Sequence, residues 1–315
     1  MYYYHNSICK KMEKEKIRCW FIFLFISMLL LSCESTEESS HHKPFIYLNH
    51  VYLTLDSTTY SSICNSDFLK DNFANCVTKT GTADSNQSWT VTYIWGENTN
   101  IELFVTGEAE NKGFSGIGFG VDIENGIDSL YKHCTSLGIK NVNKGLKYRQ
   151  IEDRKIPWFY LLSFSIEDST AMSMLNTWAW VMEYNYEYMK FKYPEKNPDS
   201  LKITRKYYNQ KSYRSDLLLK DIVEIELALN EFDYNRIFEE LKNYGYHIEQ
   251  KGELIIGNGP DIKIILRAKF ENKSGICRIK FSLTDKQYEQ QTVLFGTKSK
   301  LILNTDRTAE WYFYI

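Results

Sequence analysis

Three stretches of the chain share one alternation of large apolar with small or polar residues: Asn49-His-Val-Tyr-Leu-Thr-Leu-Asp56, Ser115-Gly-Ile-Gly-Phe-Gly-Val-Asp122 and Val223-Glu-Ile-Glu-Leu-Ala-Leu-Asn230. A period of two predicts strands, with Val51/Leu53/Leu55, Ile117/Phe119/Val121 and Ile225/Leu227/Leu229 each on one face. Each stretch ends in Asp or Asn, and a helix-like segment follows. The second and third helices close on Gly138 and Gly245 at nearly equal offsets, where a helix C-cap favours glycine. In the third helix Phe232, Ile237, Phe238, Leu241 and Tyr244 form an apolar stripe at helical spacing.

Strand-like runs follow each helix. In the first unit they are 77–81, 88–96 and 100–107, separated by the turn-rich Asp84-Ser-Asn-Gln and Gly96-Glu-Asn-Thr-Asn. The second unit offers 147–151, 158–166 and 177–184 in the same places. The third start is followed by 253–256, 262–270 and 277–283, with short closing strands at 301–303 and 311–314. The order β-α-β-β-β predicts an α+β fold: repeated βαβββ units forming curled mixed sheets, with helices on the outer face where the apolar side of each strand is covered. The implied boundaries are a first unit at 44–112, a second at 113–190, a lysine-rich insertion with Pro194 and Pro198 at 191–218, and a third strand-helix-strand unit with C-terminal strands at 219–315.

The first 43 residues read differently. Lys10, Lys11, Lys14, Lys16 and Arg18 precede an uncharged run, Cys19-Trp-Phe-Ile-Phe-Leu-Phe-Ile-Ser-Met-Leu-Leu-Leu, which falls short of the roughly 20 residues a membrane span needs. An uncleaved membrane anchor is the alternative to a secretory signal here, and Met12 is an alternative start. The ending Leu30-Leu31-Ser32-Cys33 resembles the lipobox of bacterial lipoproteins. That resemblance implies a signal peptide over 1–32, lipidation at Cys33 and a membrane partner through that lipid. It also implies a place in the bacterial cell envelope, anchored to the outer membrane and either periplasmic or surface-exposed. More than one acyl chain at a site gives stable anchoring. The acidic Glu34-Ser-Thr-Glu37-Glu38-Ser-Ser, within a tether over 33–43, resembles the acid-rich tract after the acylated cysteine of exported lipoproteins of the Bacteroidota, and equally reads as a solvated spacer.

Composition adds two exclusions. Lys and Arg total 38 against 40 Asp and Glu, a net charge of −2, and no basic stripe stands out, so no nucleic-acid partner is expected. Cys64, Cys76, Cys134 and Cys277 follow no zinc spacing. Cys64 and Cys76 would bridge only if the chain between them bends back, since a continuous helix would hold them about 18 Å apart. There is no Gly-x-Ser-x-Gly elbow, no His-Glu-x-x-His and no phosphate-cradling loop. Gly116-Ile-Gly-Phe-Gly only mimics a dinucleotide fingerprint, because its glycines alternate inside a strand.

The βαβββ repeats, the Asn-His-Val opening strand, "NIELF" closing the first unit and "WVMEY" closing the second resemble the vicinal oxygen chelate superfamily, especially its glyoxalase-like branch. The resemblance covers about residues 45–270. It implies a cup formed by paired units, holding a metal or small ligand on its concave face. If Val51, Leu53 and Leu55 face the helices, His50, Tyr52 and Thr54 face the cup, and Glu102 and Phe104 follow by the same parity. A first-strand His and a last-strand Glu are the positions from which the superfamily supplies metal ligands. His50 and Glu102 are therefore the metal candidates, for one divalent ion of Fe, Mn, Zn or Ni. Glu183 matches the second unit's carboxylate and is the candidate catalytic group. The expected fourth ligand is missing, because the counterpart of His50 is Gly116; Glu224 substitutes only if the third unit shares the cup.

Tyr52, Phe104, Trp178 and Trp180 are the candidate ligand-pocket residues, although Trp178, Trp180 and Tyr184 also suit a core. Trp89, Tyr93 and Trp95 share one strand face with the same ambiguity, and His133 and His247 read as surface or structural. Two functions follow. One is a binding protein whose concave pocket takes a small-molecule or glycan ligand, a reading that 23 Tyr and 18 Phe favour. The other is a divalent-metal-dependent lyase, isomerase or dioxygenase.

Overall fold

The repeat becomes two sheets of eight strands. In the computed structural model, which describes residues 45–82, 88–106, 115–166, 172–268 and 275–314, the first unit runs β1 (Tyr47–Leu55), α1 (Ser57–Cys64), β2 (Asn75–Thr82), β3 (Ser88–Trp95) and β4 (Asn100–Val105). The second runs β5 (Ser115–Gly120), α2 (Gly126–Ser136), β6 (Val142–Ile151), β7 (Arg154–Phe164) and β8 (Thr177–Tyr184). Antiparallel β1 and β5 join them into one sheet, ordered β2-β3-β4-β1-β5-β8-β7-β6. The signal peptide, Cys33 and the acidic tether lie outside the described residues.

Two short helices, α3 (Tyr186–Lys192) and α4 (Arg205–Asn209), lead to the third unit: β9 (Leu219–Leu229), α5 (Glu231–Asn243), β10 (His247–Lys251), β11 (Leu254–Asn258) and β12 (Lys263–Ala268). The sequence reading ended the chain with short closing strands. The structure instead gives a fourth unit, β13 (Gly275–Leu283), β14 (Gln291–Phe295), β15 (Ser299–Leu303) and β16 (Thr308–Phe313). It completes a second sheet, ordered β10-β11-β12-β9-β13-β16-β15-β14.

Strand directions follow from whether a helix is present. In the first three units the helix carries the chain back along the sheet and two hairpin reversals follow, so the last strand runs parallel to the first. Between β13 and β14 there is only the irregular stretch 284–290. Without a return traverse β14 starts from the end at which β13 stopped, and β16 lies antiparallel to β13.

The predicted apolar faces are buried. Val51, Leu53, Leu55, Ile117, Phe119, Val121, Ile225, Leu227 and Leu229 belong to one core that spans both sheets, and burial of each such side chain contributes about 1.5–3 kcal/mol. Caps match the sequence signals in two units. Asp56 accepts from the Thr59 backbone N–H at 3.0 Å and Asn230 from that of Asp233 at 2.8 Å. Gly138 and Gly245 take φ of +73° and +81° after α2 and α5.

Asp122 breaks the pattern. It accepts from the backbone N–H and Nε of Arg205 at 2.8 and 3.1 Å. Arg205 also reaches Asp261 at 2.7 Å and the Leu48 carbonyl. One guanidinium thus fastens the segment after α3 to the first sheet and to the turn before β12. None of Cys64, Cys76, Cys134 and Cys277 is in a disulfide among the described residues.

Candidate ligand cavity on the concave face

The first sheet curls around a cavity of about 450 Å³. Its depth depends on glycine. Across the β1–β5 pair Tyr52 faces Gly116 and His50 faces Gly118; a Cβ at Gly116 would overlap the Tyr52 ring, and one at Gly118 the His50 imidazole. Glycines in a strand interior cost stability, and here they let two rings of β1 lie flat over the neighbouring backbone. The sequence alignment set His50 against Gly116 by repeat position; the partner across the ladder is Gly118.

Bulges widen the lining. The β1–β5 register shifts between Leu48 and His50, so Asn49 and His50 both border the cavity while Leu48 stays in the core. On β7 the register shifts opposite Lys147/Tyr148, and consecutive Trp158 and Phe159 both line the wall. Trp178 and Trp180 line it from β8, and Tyr93 and Trp95 from β3. The Tyr93 and Trp95 rings stack with centroids 5.1 Å apart. The Trp180 ring is 5.3 Å from His50 and 6.0 Å from Tyr52. Phe104 is edge-on to Tyr52 at 5.9 Å and is not among the residues that line the cavity. The Trp89 side chain lies outside the described residues.

The insertion that the sequence reading left as a linker supplies a further wall. Tyr208 of α4 stacks on Tyr184 with centroids 4.0 Å apart and an interplanar angle of 7°, and both line the cavity. Tyr188, Tyr193 and Tyr208 join Tyr93, Trp95, Met182 and Tyr184 in an aromatic cluster separate from the main core. A signal for this was present: tyrosines at 193, 207 and 208 are too apolar for a solvated spacer.

The polar groups are few. His50 is 8 % exposed, and its Nδ1 lies 2.9 Å from Asn49 Oδ1. With the Asn49 amide in that orientation Nδ1 carries the proton and Nε2 is left as an acceptor. Burial lowers the imidazole to about 4, so it is neutral at pH 7. Burial raises Glu102 to about 7, opposed by the charge of Arg149. Burial also holds Tyr52 and Tyr184 above the ordinary phenol range. Three lining residues carry buried polar atoms with no hydrogen-bond partner among the described residues: Trp95 Nε1, Trp158 Nε1 and Asn100 Oδ1.

His50 and Glu102 both border the cavity, on adjacent parallel strands, with His50 opposite Asn100 and Glu102 opposite Tyr52. They do not complete a metal centre, since no group of three or more His, Cys, Asp or Glu side chains converges among the described residues. An Fe, Mn, Zn or Ni site built from protein donors normally needs three or more. The donors present do not fit a resident divalent ion.

Two expected contributors lie elsewhere. Glu183 shares the parity of Ala179 and Val181, which face the core, so it points away from Trp178, Trp180 and Tyr184. Its oxygens accept the backbone N–H groups of Asn125 and Ile127, both at 2.9 Å, at the start of α2. Its role as proton carrier in the cup is thereby corrected: it caps the helix that Asp122 leaves uncapped. Glu224 belongs to the second sheet, paired with Arg278 at 2.5 Å and with Lys263, so it cannot replace a ligand in the first cup.

A model of a family of unknown function (DUF5829) matches residues 48–313. No curated protein matches the chain. Among solved structures, a hypothetical protein from Staphylococcus aureus is 10% identical with a TM-score of 0.49, over 79% of this chain and 95% of that one. A variant of homoprotocatechuate 2,3-dioxygenase from B.fuscum is 12% identical with a TM-score of 0.39, over 87% and 74%. A mutant 4-hydroxymandelate synthase from Streptomyces coelicolor is 10% identical with a TM-score of 0.36, over 74% and 69%.

Proposed function

The chain belongs to this family of unknown function, so its role must be read from its own cavity, and we propose that it is an envelope-tethered binding protein for a small, flat, largely apolar ligand. The carrying observation is the concave wall of Trp95, Trp158, Trp178 and Trp180 with Tyr93, Tyr184 and Tyr208 around about 450 Å³. A mostly apolar pocket of that size with few polar groups is the usual form of a small-molecule site. Aromatic faces take flat rings or the apolar face of a sugar by stacking, and the tyrosines and tryptophans keep a polar edge for orientation.

The polar groups support recognition. A buried donor or acceptor without a partner costs about 1–3 kcal/mol. A ligand or bound water that reaches Trp95 Nε1, Trp158 Nε1 or Asn100 Oδ1 offsets part of that cost. Neutral His50 adds an acceptor at Nε2, and Glu102, whose carboxyl is raised to about 7 by burial, adds a group that donates when protonated. The tether reading rests on the charged run, the apolar run and Leu30-Leu31-Ser32-Cys33.

A metal-dependent lyase, isomerase or dioxygenase is the competing reading, since His50 and Glu102 share the cavity. Elemental analysis of untagged full-length protein, beside His50→Ala and Glu102→Gln, separates the two. The binding reading expects sub-stoichiometric metal in all three and quenching of tryptophan fluorescence by aromatic ligands. Stoichiometric metal lost in both variants refutes it. For the tether, Cys33→Ser is expected to abolish incorporation of labelled palmitate; undiminished labelling refutes lipidation at that residue.

A further inference from the structure

Beside the aromatic cavity lies a second one of about 570 Å³, and Tyr93, Trp95 and Tyr208 line both. Their chemistry is opposite. Lys79, Arg149, Lys192 and Lys211 line the second cavity, and no Asp or Glu does among the described residues.

Only part of this charge is answered within the protein: Glu102 of the first cavity lies within electrostatic reach of Arg149. Arg149 donates to the Tyr188 hydroxyl at 2.9 Å and lies 5.0 Å over the Trp158 ring; the rest of its fork has no acceptor among the described residues. Lys192 donates to the Tyr208 carbonyl at 2.6 Å, with its ammonium 3.4 Å from the centre of the Tyr208 ring. Lys211 at the rim is the exception, since it pairs with Glu195 at 3.1 Å. Lys79 is exposed.

Converging cations repel one another, and the strain shows on the half-buried one. Lys192 is lowered to about 7 by burial first, then by the charges of Lys79, Arg149 and Lys211. Such an arrangement costs the fold electrostatic energy, which a bound anion would offset. Arg149 also links the cavities, because its guanidinium rests on Trp158, a wall of the first, while it lines the second.

We propose that the second cavity is an oxyanion subsite, and that the ligand of the aromatic cavity is amphiphilic: a flat apolar body between the tryptophans and a carboxylate, sulfonate or phosphate held by Arg149 and Lys192, with Lys79 and Lys211 at the rim. This rests on the aromatic cavity being the binding site. Arg149 offers a planar fork suited to two oxygens of one anion, and the lysines add point charges.

The test uses two dyes that share one aromatic frame. N-phenyl-1-naphthylamine is uncharged, and 8-anilinonaphthalene-1-sulfonate adds the anion. Both are titrated by fluorescence into full-length protein at low ionic strength, since salt screens the rim charges. The sulfonate is expected to bind about tenfold more tightly or better, as charge-assisted hydrogen bonds to two cations imply. In Lys192→Gln that preference shrinks, and in Lys79→Gln/Lys192→Gln it shrinks further, with Arg149 keeping the remainder; in Lys79→Gln, at a position that does not line the aromatic cavity, affinity for the uncharged dye stays at the wild-type value. Lys79→Gln alone, at an exposed site, checks the result where the buried substitution lowers the melting temperature. Equal affinity for the two dyes, or a preference unmoved by the lysine variants, overturns the subsite and leaves the aromatic cavity standing. Failure of both dyes to bind overturns the aromatic cavity and the subsite together.

Discussion

Glu102→Gln tests whether the cavity carboxyl is as desolvated as its position implies. Glutamine keeps the size of the side chain and removes its titration. The folded protein holds the Glu102 carboxyl at about 7 because of burial, against an ordinary value of 4.5. Folding therefore takes up a proton between these two values. The stability linked to this group is fully present below about 4.5 and is lost as pH rises through about 7.

At 1.36 kcal/mol per pH unit the ceiling is about 3 kcal/mol. Glu102 is partly exposed, and retained solvation reduces the expected effect to about 1–2 kcal/mol. His50 titrates in the opposite sense: its folded value of about 4 lies below 6.5, so its contribution is lost as pH falls from 6.5 towards 4. Both proteins contain His50, and its effect cancels in their difference. Urea unfolding followed by circular dichroism at pH 4.5, 6 and 8 should show Glu102→Gln gaining on the wild type by about 1–2 kcal/mol across that range. A gap that stays constant, or narrows as pH rises, refutes the burial of this carboxyl.

Two further substitutions separate the cavity from the scaffold. Gly118→Ala drives a Cβ into the His50 ring and is expected to cost about 1–3 kcal/mol of stability; fluorescence titration should show weaker binding of aromatic dyes. Glu183→Ala strips the acceptor from two N–H groups of α2 and should cost about 1–2 kcal/mol by thermal or urea melts, with aromatic-dye affinity unchanged.

Much of the first sheet was legible because one face of each strand meets oil. The alternation of Val51, Leu53 and Leu55 with His50 and Tyr52 fixed which side chains look into the cup, and Ile101 and Leu103 did the same for Glu102. Parity also shows why Glu183 was misplaced. Matching "NIELF" to "WVMEY" by their carboxylates slips the register by three residues, since Glu102 pairs with Tyr52 whereas Gly118, the repeat counterpart of Tyr52, pairs with Trp180, and an odd slip moves a side chain to the other face. β10 and β14 went unseen because they border the second sheet and bury little: Leu294 is 69 % exposed, so no period of two was imposed. The bulges that bring Asn49 and Trp158 to the cavity, and the folding of Tyr208 over it, depend on contacts distant in sequence that no local pattern encodes.

The two sheets have related plans, yet they differ in what stands opposite the opening strand of each half. In the first, β5 offers Gly116 and Gly118, and the rings of β1 lie down over them. In the second, β13 offers Lys280 opposite Glu224 and Arg278 opposite Glu226, so charged side chains replace glycines there. Arg278 pairs with Glu224 at 2.5 Å, Glu226 at 3.1 Å and Glu310 at 3.0 Å. Arg278→Met keeps length and apolar stem and leaves three carboxylates facing one another, with Lys263 and Arg267 still beside Glu224 and Glu226. Removing one partner from a largely buried ionic cluster costs about 3–5 kcal/mol in full, and the two remaining cations reduce the expected loss to about 2–3 kcal/mol. Unfolding should register that loss while dye binding in the first cavity is retained, as the proposed division into a ligand-carrying first half and a scaffolding second half requires. A variant of wild-type stability, or one that loses dye binding without losing stability, contradicts that division.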